Sequence, residues 1–440
     1  MKHTIKIRDE IAAYLSEHDL SNNQFAIICG IHSGTLSRVM KGQQALAMNH
    51  LIRITRAMGL AEDYFYGKYV DEIMVDSAPT WRRLRPFLLQ CASLSRLDCI
   101  EAIVQNLLDN LLYVPLLFEV AEELYQQGHL QAAALIYENV GASEKYQHSE
   151  RLALCQYRLF LMALGDDPHN NLIAAVLFEN YVSKLDELNQ LDALKQLAHT
   201  YSSLHQWQKV SELADELLRL ASLQYQLLKG GSRTADHGRV AQRPVYAYIL
   251  YAQLLRANVL EECGDHKAAL ELIPVYMDAG WIREDDEEAR RIIAQYQVWG
   301  TANIYLNRLM DGQIEVLDEY VEYISVRESE IFTALSKIVQ SANRYNWNVD
   351  SILRRFAAYI PYRQYSSIFG VSNKLIMNDN YTRFCKELAA YYLSRRRYNN
   401  DDVSMRGVDL SVKLDNTQNV IRGTLSVDFE ILLSDSTWLN

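Results

Sequence analysis

Apolar positions recur every three to four residues through most of the chain, which predicts helices rather than strands. Over residues 5–18, Ile7, Ile11, Tyr14 and Leu15 form one helical face. Ser21 or Asn22 can cap a second helix, Gln24 to Cys29, and Gly30 supplies the left-handed residue that ends it. Ile31 then packs inward, a third helix runs from about Ser33 to Met40, and Gly42 closes it. Leu51, Ile52, Ile54 and Met58 mark a fourth helix, and Tyr64 with Phe65 a short fifth. From about Trp81 to Arg397 helix follows helix. Beyond Asn400 the period changes. Val408, Leu410, Val412 and Leu414 alternate, Asp415 to Asn419 break the run, and Leu425, Val427, Phe429 and Ile431 alternate again, the pattern of a short β-hairpin.

The long helical stretch carries a recurring unit of helix, tight turn and second helix with a small residue at the crossing. Leu124 to Ala133 followed by Tyr137 is one copy, and Leu260 to Ala269 is another. Tyr201 to Trp207 with Ala214 is a degenerate third, Tyr305 to Asp318 a fourth and Asn343 to Phe356 a weaker fifth. Gly128 and Gly264 sit at helix ends, and Ala133 and Ala269 at crossings. This resembles a tetratricopeptide array, whose concave wall is lined by the first helix of each pair.

The spacing of Ala26, Gly30 and Leu36 carries a second resemblance. Ala26 is small where two helices cross, Gly30 makes the turn, and Leu36 anchors the second helix from inside. With Thr35, Ser37, Arg38, Gly42 and the run Ala57 to Leu60, residues 1–68 resemble a Cro/C1-type (Xre-like) helix-turn-helix, whose second helix enters the major groove. Asn22 stands where that family usually has Gln; the shorter amide still reaches phosphate. On this alignment the DNA-facing residues are Asn22, His32, Ser33, Gly34, Thr35, Ser37, Arg38 and Gln43. Arg38 suits guanine or phosphate, and Ser33, Thr35 and Gln43 suit phosphate or mixed contacts. His32 reads equally as a solvated turn residue.

Charge supports that placement. The net charge of −11 argues against nucleic acid for the whole chain, but its distribution does not. Residues 1–68 hold 8 Lys and Arg against 6 Asp and Glu, and the remainder holds 36 against 49. Only the N-terminal part is a plausible DNA surface. Apolar residues at 49% allow a sizeable core, and 18 Gly with 7 Pro favour helices. The charged start lacks a signal-peptide core, no run is apolar enough to span a bilayer, and six scattered cysteines read as reduced thiols; a cytoplasmic protein is expected.

Superposing the repeat copies puts Asn258 and Asn303 at equivalent positions on first helices. Asn307 lies one turn after Asn303, and Asn343 aligns with Asn307. Tyr251, Tyr296 and Trp299 fall on neighbouring positions. An Asn side chain donates and accepts, so it can pair with an extended peptide backbone whatever its sequence. Aromatic neighbours make pockets for side chains. The competing reading of each Asn is an ordinary polar residue on a solvated helix face.

The combination of helix-turn-helix and repeat array resembles the RRNPP peptide-pheromone receptors. That resemblance implies a cytoplasmic, dimeric transcription factor that binds a short imported signalling peptide inside the array. The expected fold is all-α: a five-helix helix-turn-helix domain (1–68), a linker (69–80), a tetratricopeptide-like right-handed superhelix (81–398), and a tail with a β-hairpin (399–440). The partners expected are a palindromic double-stranded operator, a signalling peptide and a second copy of the chain, with no membrane. Two alternatives stay open: a repeat domain that docks a protein such as an antirepressor, and a Rap-like protein that sequesters or dephosphorylates a signalling protein. No enzyme, cofactor or metal is expected. The chain has no phosphate-binding glycine loop, no H-E-x-x-H and no G-x-S-x-G. The acidic run Glu284 to Glu288 reads as a helix start, Arg395 to Arg397 as a helix end, and Lys229 to Arg239 as a basic connecting loop.

Overall fold

A computed structural model describes residues 6–74, 80–144, 149–229, 241–360 and 373–396. Among these every regular element is helical. The expected hairpin beyond Asn400, most of the 229–239 loop and Arg397 lie outside the described residues. The chain divides into two compact units, Met1–Ala163 with Ser183–Leu185, and Leu164–Val182 with Asp186–Asn440.

The first unit opens with α1 (Ile7–Glu17), α2 (Asn22–Cys29), α3 (Ser33–Met40), α4 (Met48–Ala57) and α5 (Tyr66–Met74). Ser21 begins α2 through a reciprocal cap: its Oγ accepts from Gln24 N, and the Gln24 side chain accepts from Ser21 N at 2.9 Å. Gly30 ends it at φ +63°, where a side chain would be strained. Tyr64 and Phe65 are not in the fifth helix as expected. They lie in the turn before it, and α5 begins at Tyr66. The expected linker therefore opens inside α5, where Tyr69, Val70 and Ile73 are buried.

The same unit continues through α6 (Trp81–Ser93), α7 (Leu97–Leu107), α8 (Val114–Gln126), α9 (Leu130–Ser143) and α10 (Glu150–Ala163). One hydrophobic core runs from Ile7 to Cys155 without a break. Phe87 on α6 stands edge-on to both Tyr66 and Tyr69, at 5.2 and 5.0 Å between ring centres. Arg96 pairs with Asp63 at 2.8 Å, and Gln90 donates to Glu62 at 2.7 Å. The helix-turn-helix is thus built into the first helical pairs.

In the second unit α11 (Pro168–Glu179) is followed by α12 (Glu187–Ser203), α13 (Trp207–Lys229), α14 (Val245–Glu262), α15 (His266–Met277), α16 (Glu287–Met310), α17 (Leu317–Ser325), α18 (Glu328–Tyr345), α19 (Asp350–Arg355) and α20 (Asn373–Arg396). Each of the five repeat copies found in the sequence is a helix, a left-handed turn residue and a second helix. The turn residues are Gly128, His205, Gly264, Gly312 and Asn346. Ala133 and Ala269 are fully buried at their crossings. Asp286 caps α16 by accepting from Ala289 N at 2.8 Å, as the acidic run predicts. Gly300 is a further small residue at a crossing. A Cβ on Gly300 would stand 2.3 Å from Met277 Cγ on α15, so α15 and α16 meet there. Gly300→Leu is expected to cost about 1–3 kcal/mol by overpacking, measured by urea unfolding; unchanged stability would mean that Met277 swings clear.

Candidate DNA-contact helix and peptide groove

Ala26 and Leu36 are each 1% exposed, so α2 and α3 cross where the sequence requires. Arg53 on α4 donates to the Gly30 carbonyl at 2.8 Å and holds the turn from outside. His32 caps α3, its Nδ1 accepting from Gly34 N at 3.2 Å. A Cβ on Gly34 would stand 3.3 Å from that same ring nitrogen, so a side chain there would press on the cap. Ser33 and Arg38 are exposed on α3, while Gly34, Thr35 and Ser37 are half-buried. Asn22, the first residue of α2, and Gln43, just beyond α3, are exposed. Arg38 makes no ion pair or side-chain hydrogen bond among the described residues. These eight positions gather at the helix-turn-helix, and Arg38 is the one Lys or Arg among them.

The second unit holds a cavity of about 360 Å³. Its walls are the first helices of successive pairs and α20: His199 and Ser202 from α12, Tyr251 and Asn258 from α14, Trp299 and Asn303 from α16, Lys337 from α18, Arg383 from α20. Asn258 is half-buried and its amide has no partner among the described residues. Asn303 donates one hydrogen bond to Tyr276 Oη at 3.1 Å, and its side-chain amide oxygen has no partner among the described residues. Tyr251 and Trp299 also border a second cavity of about 180 Å³, which Tyr296 lines. Trp299 and Tyr296 meet edge-on at 5.2 Å. Burial pushes the Tyr251 and Tyr296 hydroxyls up, so both stay neutral.

Asn307 and Asn343 sit elsewhere. Asn307 is 1% exposed and lies behind the wall. Its carbonyl oxygen is 2.9 Å from His266 Nδ1, and its amide nitrogen donates to Glu261 at 3.3 Å and to the Asn303 carbonyl at 2.9 Å. With its capacity used internally, it fixes α14, α15 and α16 together. Asn343 donates to the Glu387 carbonyl at 2.8 Å and to its carboxylate at 2.7 Å, so it ties α18 to α20.

No local pattern in the chain marks the charged part of the groove. Lys337 bridges Glu261 at 2.8 Å and Glu262 at 3.3 Å, and Arg383 reaches Glu262 at 3.5 Å. Burial pulls the Lys337 ammonium down, but the two carboxylates outweigh it and its pKa ends raised. Burial, and then Lys195 nearby, lower His199 to about 4. His199 is therefore neutral when folded at pH 7 but takes a proton near pH 6.5 when unfolded. Between those values the unfolded chain binds more protons, so stability rises with pH across this window. Lowering the pH from about 6.5 to about 4 should cost about 3 kcal/mol through this residue. Parallel urea unfolding of the parent and His199→Gln at pH 4.5 and 7 checks it: the two must diverge in pH slope, and equal slopes would exclude His199.

Among the described residues no helix is long and apolar enough to cross a membrane, and no group of His, Cys, Asp and Glu could hold a metal ion. No protein-family model matches the chain, and no curated protein does either. Among solved structures it is similar to Bacillus thuringiensis PlcR, crystallised with the peptide PapR7 and DNA. That match has 15% identity, covers 81% of this chain and 98% of that one, and has a TM-score of 0.24. So loose an overlap transfers no residue roles.

Proposed function

We propose that this chain is a sequence-specific DNA-binding regulator whose activity is set by a short peptide held in the groove of the second unit. The observation that carries the reading is the side-chain amide of Asn258 and the side-chain amide oxygen of Asn303, neither paired among the described residues, on two residues that line one cavity with Tyr251 and Trp299. Those groups match the donors and acceptors of an extended backbone, and burying them unsatisfied would be costly. A helix-turn-helix on the same chain makes regulation of DNA binding the natural output. We further propose a cytoplasmic homodimer on a palindromic site, since one such domain buries little DNA surface. Calorimetry of the full chain against synthetic peptides of roughly 5–10 residues, the span a groove crossing several repeats accommodates, tests the reading. Peptides encoded beside the gene are the first choice, and the absence of any binder among them and among randomised pools would sink it.

Arg38→Ala is expected to weaken operator binding by about 1–3 kcal/mol if Arg38 reads a base. A phosphate contact would instead weaken all sequences alike and lower the salt slope by about 1. Filter binding at several salt concentrations separates the two, and a variant identical to the parent removes Arg38 from the interface.

A second reading, in which a protein partner docks on the helical pairs, has one observation in its favour. Ile173, Val176 and Leu177 share one face of α11 and are 45–64% exposed. Leu177→Asp should leave peptide binding intact under the first reading, and abolish partner or dimer formation only if this face is used, as light scattering would reveal.

A further inference from the structure

The second cavity is lined by three cations, Lys195 of α12, Arg243 just before α14 and Arg291 of α16. Among the described residues no carboxylate lines it, and none of the three cations makes an ion pair there. The carboxylate closest in sequence to Lys195, Asp192 on the same helix, is already engaged: it accepts from Tyr248 Oη and from Gln242 N at 3.1 Å. Four aromatic residues, Tyr248, Tyr251, Tyr296 and Trp299, line it as well. Cations that converge on one pocket repel one another, and a partly buried one such as Lys195 also loses solvation. The Lys195 ammonium is lowered, first by burial and also by Arg243, although Asp192 opposes the shift, and that is one sign of the cost. An anion entering the pocket would relieve it, and its hydrogen bonds would be charge-assisted.

We infer that this pocket is a carboxylate-recognition subsite, and that the groove selects peptides bearing a free C-terminal carboxylate or an acidic side chain at the end that reaches it. The inference rests on the peptide reading above. Its location supports it: Tyr251 and Trp299 border both cavities, so a chain paired with Asn258 and Asn303 continues directly into the cationic pocket. A planar carboxylate also suits two guanidinium forks, from Arg243 and Arg291, better than it suits lysine alone.

The test uses the full chain and two randomised heptapeptide pools, one with free C-terminal acids and one with C-terminal amides. Peptides retained by the protein are identified by mass spectrometry. The parent should enrich acidic peptides. Enrichment confined to the free-acid pool assigns the pocket to the C-terminus, and enrichment that persists in the amide pool assigns it to Asp or Glu side chains. Arg243→Gln and Lys195→Gln should each cut retention of the enriched peptides about 10- to 100-fold, the range for a lost charge-assisted bond. Neutral peptides should stay bound, which also reports an intact fold. If either variant loses neutral peptides as well, the exposed Arg291→Gln serves as the reading. Peptide binding without acid preference, or a preference that all three variants retain, overturns the subsite and leaves the groove reading standing. No peptide binding by the parent overturns both.

Discussion

Lys337→Met is expected to lower the unfolding free energy by about 3–5 kcal/mol, the range for leaving a buried charge without its partner. Glu261 and Lys337 have side chains only 10% and 16% exposed, so water replaces little of the partner lost when the other is removed. The loss spreads further than one ion pair. Glu261 also accepts from Asn307, which holds His266 and the Asn303 carbonyl, so α14, α15, α16 and α18 share one polar network. Methionine keeps the volume of the lysine stem, which restricts the defect to the charge. Urea unfolding at pH 7 measures the loss. Adding Glu261→Gln and Glu262→Gln to the variant should recover part of it, because the unpaired carboxylates go too. A deficit below about 1 kcal/mol would place the pair in an effectively aqueous setting.

This network marks the limit of what the sequence conveys. Helices, turns and crossings depend on local chemistry, and they were readable: Gly30, Gly128 and Gly264 end helices, Ser21 begins one, and Ala26 and Leu36 seat the helix-turn-helix. Even the degenerate turns at His205 and Asn346 fell where the repeat register put them. The register also brought Asn258, Asn303, Tyr251 and Trp299 to one cavity. It could not tell a first-helix position that faces the cavity from one a turn later that faces the neighbouring helix. Asn303 and Asn307 are four residues apart, yet one reaches the groove and the other is sealed behind it. Long-range pairings left no local trace either. Lys337 finds Glu261, and Asn343 finds Glu387, only once the pairs are stacked. That α5 runs on through residue 68 was hidden for a related reason: Phe87 packs on Tyr66 and Tyr69, and nothing in the spacing records that contact.

The double variant Asn258→Ala with Asn303→Ala is expected to lose about 2–6 kcal/mol of peptide affinity, about 1–3 for each buried peptide group left without its partner. The two residues lie on different helices, α14 and α16, and make no hydrogen bond to each other, so their effects should add if the peptide spans both. Stability should change little in Asn258→Ala, whose amide has no partner among the described residues. Asn303→Ala gives up one bond to Tyr276 Oη and serves as the comparison for any structural contribution. DNA affinity without peptide should match the parent, since both residues lie in the second unit and the helix-turn-helix in the first. A peptide can shift DNA binding only by its differential affinity for the two states, so the shift it causes should shrink in step with its own lost affinity at fixed concentration. Calorimetry gives the peptide term, and operator binding with and without saturating peptide gives the coupling. Parental peptide affinity in the double variant would remove these amides from the site. Lost peptide affinity with an unaltered response of DNA binding would separate the groove from the switch.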